Sequence, residues 1–143
     1  DGQHTTKDIP KFVEKINEGY GLVVGWKKIR QDPFSRVFLS NVYNVMFKAI
    51  FGIRLHDVDC GYKVYTKKLA KSIKLTYTSV PNGSEICAKA AAMGYRIAEI
   101  PVHHFPRKKG KSIYNPYHLA KTVFRTFFSL ITLKLQLSRT KKR

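Results

Sequence analysis

The hydrophobic positions change period along the chain, and the changes mark the elements. Ile9, Phe12, Val13 and Ile16 follow the i, i+3, i+4, i+7 spacing of a helix with one buried face. Lys7-Asp8-Ile9-Pro10 makes its start, with Asp8 near the N-cap, and Gly19 and Gly21 end it. Gly21-Leu22-Val23-Val24-Gly25 is a continuous apolar run, the mark of a strand buried on both faces. Helix followed by buried strand is the rhythm of an α/β sheet.

After a basic loop, Trp26–Pro33, comes a helix over Phe34–Phe51. Its polar residues Arg36, Ser40, Asn44 and Lys48 recur every four positions as one narrow stripe, widened by Asn41, and nearly everything else is apolar. A surface helix usually shows a wider polar face, so this one is expected to cover apolar surface on more than one side, core plus lipid or core plus another subunit. Val58–Tyr65 predicts a strand, with Gly61 allowing close backbone approach. Lys67–Ile73 predicts a short basic helix, Pro81-Asn82-Gly83 a turn, and Ser84 the cap of a helix that runs to Met93 and ends at Gly94. Tyr95–His104 predicts a strand on which His103 and His104 point to opposite faces. Pro106–Ser112 is a basic loop.

Asn115-Pro116 opens the last helix. His118, Thr122, Arg125, Ser129, Thr132 and Gln136 trace its polar stripe, while the opposite side carries Leu119, Ala120, Val123, Phe124, Phe127, Phe128, Ile131 and Leu135. The helix runs into Arg139-Thr140-Lys141-Lys142-Arg143. An apolar face followed by a basic cluster suits an anionic membrane surface, and equally a helix packed on the core with a solvated tail. Val123–Leu135, interrupted by Arg125 and Lys134, is too short and too charged to span a bilayer.

Charge changes this picture most. There are 27 Lys and Arg against 9 Asp and Glu, a net +18 over 143 residues. Self-repulsion on that scale calls for an anionic partner: nucleic acid, a membrane surface or a phosphate-bearing small molecule. The 43% hydrophobic content predicts one folded domain. Cys60 and Cys87 make no disulfide framework and point to a reducing compartment; the five histidines make no zinc pattern. No signal peptide is present, and a chain opening at Asp1 without Met is expected to be a fragment or a processed product.

Four stretches carry candidate chemistry. Asp1-Gly2-Gln3-His4 is by itself a polar loop. Gly25-Trp26-Lys27 precedes Arg36 and Ser40, which stand one helical turn apart on the polar stripe, either solvated or facing an anion. His56-Asp57-Val58-Asp59-Cys60-Gly61-Tyr62-Lys63 sets carboxylates just before a strand, where Asp57 serves either a turn or a function. Gly94-Tyr95-Arg96-Ile97-Ala98-Glu99-Ile100-Pro101-Val102 leads to Arg107-Lys108-Lys109-Gly110-Lys111-Ser112. That loop is a solvated charge run, a nucleic-acid patch or a phosphate cradle.

In order and spacing these stretches resemble the C-terminal half of family-2 glycosyltransferases of the polyprenyl-phosphate, dolichol-phosphate mannose synthase-like type. The family carries Asp-x-Asp-x-Gln-His, Gly-x-Arg, an Arg with a Ser four residues on, His-Asp-x-x-Cys-Gly-Phe-Lys, and Glu-[Val/Ile]-Pro-Val followed by Arg-x-x-Gly-x-Ser. The resemblance implies the C-terminal half of a GT-A-like α/β fold over residues 1–113, then an amphipathic juxtamembrane helix and basic tail over 114–143. It implies a Mg²⁺ or Mn²⁺ ion held by Asp1 and Gln3, both hard oxygen donors. Phosphate-binding roles fall to Lys27, which replaces the family's usual Arg, and to Arg36, Ser40, Arg107 and Ser112. Asp57 takes the catalytic place, orienting a sugar hydroxyl or assisting at the acceptor. The implied partners are a nucleotide-sugar donor, a polyprenyl-phosphate acceptor and an anionic membrane surface at the cytoplasmic face, with no nucleic acid. Tyr77–Gly83 matches poorly, and the nucleotide-binding half is absent, so the chain alone is expected to be inactive. The rival reading is a basic nucleic-acid-binding domain, which explains the charge but not the narrow polar stripes.

Overall fold

A computed structural model of the chain describes residues 3–28, 34–77, 82–105 and 119–140. A 3-10 turn (Thr6–Asp8) leads into α1 (Ile9–Asn17), β1 (Leu22–Lys27), α2 (Phe34–Phe51), β2 (Lys63–Tyr65), α3 (Lys67–Ser72), α4 (Asn82–Ala92), β3 (Ile97–Val102) and α5 (Leu119–Thr140). The described strands form one mixed sheet in the order β2-β1-β3. β2 is antiparallel to β1, with Leu22 opposite Tyr65, and β3 is parallel to it, with Leu22 opposite Ile97 and Lys27 opposite Val102. The α/β expectation is met. β1 lies in the middle, and every residue from Gly21 to Gly25 is buried, as its unbroken apolar run requires. Around it pack Phe12 of α1, Phe47 of α2, Leu69 of α3, Cys87 of α4, and Leu130 and Leu133 of α5.

Several expectations need correction. Only Phe12 of α1 is fully buried; Ile9 and Val13 stay 43% and 47% exposed, so the helix buries a narrower face than its periodicity predicts. Asp8 makes no cap bond to α1 because its carboxylate is engaged by β3's end. The strand expected over Val58–Tyr65 shrinks to Lys63–Tyr65, since Asp57–Cys60 is a turn closed by Cys60 N–H to the Asp57 carbonyl at 3.1 Å. The close backbone approach falls at Gly25, not Gly61. Gly25 N–H donates to the Tyr62 carbonyl at 2.8 Å, and a Cβ there would stand 3.0 Å from that oxygen, whereas nothing comes within 4 Å of one at Gly61. α4 begins at Asn82, two residues before Ser84, whose buried hydroxyl bonds Tyr43 Oη instead of capping. The strand expected over Tyr95–His104 is Ile97–Val102, with His103 exposed and His104 buried just past its end.

α5 is rotated from the face that its pattern suggests. Thr126, Leu130 and Leu133 are buried, and Phe124, Phe127, Phe128 and Leu135 are exposed. α2 packs on α5 and likewise leaves Phe34, Phe38 and Val45 exposed. Among the described residues no helix is long and apolar enough to cross a membrane.

Candidate active site

Because β1 and β3 run parallel, their carboxyl ends share one edge of the sheet, where open α/β sheets take ligands. Lys27 closes β1 and lies opposite Val102, the last residue of β3. The N-terminal segment returns to this edge and straps down onto the residues after β3. Phe105 N–H donates to the Gln3 carbonyl at 2.9 Å. Gln3 Nε2 donates to the Phe105 carbonyl at 3.4 Å and meets His104 Nε2 at 3.3 Å. His4 Nδ1 lies 3.2 Å from the His103 carbonyl, and Tyr62 Oη donates to the Thr5 carbonyl at 3.0 Å.

Asp8 secures the strap. Its carboxylate, 1% exposed, accepts from His103 N–H at 3.0 Å, His103 Nδ1 at 3.1 Å and Lys11 Nζ at 3.2 Å. Burial alone would raise its pKa, but the His103 backbone and ring bonds and Lys11 outweigh it, and the net shift is downward. The His4 imidazole moves down, chiefly through burial. The His103 carbonyl opposes this, Lys27 adds to it, and Asp57 and Asp8 oppose it more weakly.

Asp57 is built in from both sides. Its carboxylate, 1% exposed, lies 3.4 Å from Lys27 Nζ. Its backbone N–H donates to Glu99 Oε1 at 3.0 Å, and the preceding His56 N–H donates to the same carboxylate at 2.9 and 3.0 Å. Asn44 of α2 grips the same turn, accepting from Val58 N–H at 3.1 Å and donating to the His56 carbonyl at 2.6 Å. An acidic neighbour, Asp59, has its pKa raised, mainly by burial; Lys63 pulls it down and Asp57 up.

Of the residues singled out in the sequence, Gln3, Lys27 and Asp57 therefore converge on the carboxyl edge. Ser40 and Arg36 lie on α2, one and two turns toward its N-terminus from Asn44, about 6 and 12 Å along the axis. Asp1, Arg107 and Ser112 lie outside the described residues. Gln3 supplies an amide whose nitrogen faces the strand, and its oxygen is a donor of the kind a hard cation takes. Among the described residues no group of three or more His, Cys, Asp and Glu is gathered around a metal position. Two positioning residues escaped the sequence reading. Glu99 sat inside a matched motif and gave no sign of its partners, which lie 42 and 43 residues away. Asn44 was visible only as one more polar residue on the α2 stripe.

No family model matches the chain. Over 96% of its length it is 28% identical to an undecaprenyl-phosphate 4-deoxy-4-formamido-L-arabinose transferase of Shewanella sediminis, covering 40% of that protein. Over 93% it is 31% identical to a dodecaprenyl-phosphate galacturonate synthase of Rhizobium johnstonii, covering 38% of it. A polyprenol monophosphomannose synthase of Mycolicibacterium smegmatis aligns with 87% of the chain at 21% identity, half of its own length being covered. The chain is a homologue of polyprenyl-phosphate glycosyltransferases. It spans 38–50% of the length of these relatives. A mixed sheet of three described strands is in keeping with part of such a transferase domain. Nothing in the comparisons supports the nucleic-acid reading.

Proposed function

We propose that the protein carrying this chain transfers a sugar from a nucleotide-diphosphate sugar to a polyprenyl phosphate at the cytoplasmic face of a membrane. In this reading residues 1–113 are the C-terminal half of a GT-A-like catalytic domain, and residues 114–143 are a juxtamembrane helix with a basic tail. The observation that carries it is the convergence of Gln3, Lys27 and Asp57 on the carboxyl edge of β1 and β3, in a chain homologous to such transferases along nearly its whole length.

In the reaction the bond from the sugar's anomeric carbon to the donor diphosphate breaks, and its electron pair leaves with the diphosphate. A bond from the same carbon to an acceptor phosphate oxygen forms. That oxygen is already nucleophilic near neutral pH, so the protein's task is positioning and charge stabilisation. Asp1 and Gln3 would hold Mg²⁺ or Mn²⁺, which neutralises the leaving diphosphate when bound. Lys27, Arg36, Ser40, Arg107 and Ser112 bind phosphate oxygens. Asp57, fixed by Lys27 and the Glu99 clamp, orients a sugar hydroxyl or the acceptor. The exposed phenylalanines of α2 and α5 support seating on lipid, with the basic tail facing anionic headgroups.

Sugar transfer to a short-chain polyprenyl phosphate by the full-length protein tests this reading, with a chelator arm for the metal. Arg107→Ala is expected to lower transfer by about 10²- to 10³-fold, as loss of a charge-stabilising donor does. Arg107→Lys retains charge but loses the two-pronged fork, and still impairs transfer. Circular dichroism checks folding. Wild-type transfer by folded Arg107→Ala removes Arg107 from the site.

A further inference from the structure

We propose that His56 is a substrate-contacting residue, donating one hydrogen bond from Nε2 to a phosphoryl oxygen, with Glu99 and Trp26 holding its ring ready. The proposal rests on the transferase reading above and deepens it.

The His56 side chain is 65% exposed, and a side chain so exposed ordinarily has no fixed place. This one is held by Glu99, Asn44 and Trp26. Its Nδ1 meets Glu99 Oε2 at 2.6 Å, and its backbone N–H donates to the same carboxylate. Its carbonyl accepts from Asn44. Its ring lies on the Trp26 indole with centroids 4.2 Å apart and planes 19° from parallel. Among the described residues Nε2 makes no hydrogen bond. A carboxylate on one imidazole nitrogen fixes the ring and decides which nitrogen is presented outward, here Nε2. When the ring carries a second proton, that nitrogen is a cationic donor, and its complement is an anionic oxygen.

Position narrows the ligand further. His56 precedes Asp57, which is paired with Lys27 at the strand end. It is also bonded to Asn44, which continues the Arg36–Ser40 stripe of α2. Those neighbours point to a phosphate, whose source is either the lipid acceptor or the donor diphosphate. The competing role is structural, with His56 covering Trp26 and closing the turn.

Steady-state transfer by the full-length protein separates these roles when KM is measured for each substrate in turn. His56→Asn keeps an amide N–H where Nδ1 meets Glu99 and removes the outward nitrogen. It is expected to raise KM for one substrate about ten- to one-hundred-fold, the worth of a hydrogen bond to a charged group, with an unchanged melting temperature. His56→Gln restores an N–H near the outward position and recovers most of the loss. A rise confined to the polyprenyl phosphate assigns the lipid phosphate, and one confined to the nucleotide sugar assigns the diphosphate. Wild-type KM values in His56→Asn overturn the proposal, as does a lowered melting temperature that His56→Gln does not restore. If the wild-type protein transfers no sugar, the transferase reading fails, and the proposal is judged by the His56 imidazole NMR signal on addition of inorganic phosphate. A saturable shift at Nε2 then sustains it, and none overturns it.

Discussion

At the carboxyl edge of β1 and β3 the chain buries charge; along α2 and α5 it exposes hydrocarbon. Asp57 and Asp8 are each 1% exposed; the Asp57 carboxylate lies beside Lys27 Nζ, and that of Asp8 accepts from His103 and Lys11. Phe34 and Phe128 are 83% and 63% exposed on helices that pack through other faces. Water would favour the reverse in both places. At the edge Lys27 brings compensating charge to Asp57, His103 and Lys11 donate to Asp8, and Glu99 and Asn44 hold the turn that carries Asp57. On the helix flank these rings stay largely exposed among the described residues. A buried charge compensated from within is stable as it stands, whereas an exposed apolar flank is free to take a partner.

The comparison breaks most sharply at the metal. Asp1→Ala in the full-length protein is expected to abolish divalent-dependent transfer, and Gln3→Ala to weaken it less, since a carboxylate stabilises a divalent cation more than an amide oxygen does. Divalent-ion titrations of transfer read both, and full activity in Asp1→Ala removes the metal assignment. The next effect concerns compensated charge away from the site. Glu85 is fully buried and accepts from Thr76 N–H at 2.7 Å, Tyr77 N–H at 3.0 Å and Lys89 Nζ at 2.6 Å. Removing one partner of a buried pair strands the other, so Glu85→Ala should cost about 3–5 kcal/mol in a denaturant titration. A loss near zero would mean that this charge is not compensated from within.

On the helix flank the expectation inverts. Phe34→Ser and Phe128→Ser should leave the melting temperature nearly unchanged, because both rings are largely exposed. Each should weaken co-sedimentation with anionic vesicles by about tenfold or more, the worth of a phenylalanine withdrawn from water. Neutral vesicles should bind less well throughout, and rising salt should weaken binding. Equal binding to both lipid types counts against the interfacial role.

The smallest effect is on acid stability. Burial opposes ionisation of Asp8 and Glu85, yet the bonds to His103 and Lys11, and to Lys89, Tyr77 and Thr76, hold both carboxyls below the ordinary value. Groups depressed on folding contribute stability above the unfolded value, about pH 4, and lose it as pH falls toward the folded value. Thermal melts should therefore lose a little stability below about pH 6.5, where burial keeps the His4 imidazole from taking a proton, and decline more steeply below about pH 5. Melts flat from neutral pH to about pH 5 would remove the His4 contribution, and melts flat well below pH 4 would remove that of both carboxyls.

Elements carried by local pattern were legible. The unbroken apolar run of β1, the full span of α2 and the basic α3 all lie close to where periodicity and turn residues put them. Faces were harder. α5 holds two apolar stripes, and periodicity marks the one with Phe124, Phe127 and Phe128, while the core takes Leu130 and Leu133. Which stripe turns inward depends on the neighbouring α2 and α4, and no local signal carries that. Gln3, Lys27 and Asp57 were named from residue types in order, and the fold brings these three to one edge. The clamps of the site were not legible: Glu99 on His56, Asn44 on Val58 and Asp8 on His103 join positions 14 to 95 residues apart.

The backbone bond from Phe105 to Gln3 has a kinetic consequence. These residues are separated by 102 positions, so the bond closes a loop spanning most of the chain. Contacts of such sequence separation form only after the intervening chain has been drawn together, and they dominate the entropy of the folding barrier. α1 and the local turns can form while a nascent chain is still being synthesised, but the strap at the carboxyl edge must await β3. A chain ending before Phe105 would retain the side chain of Gln3 and have no register in which to hold it.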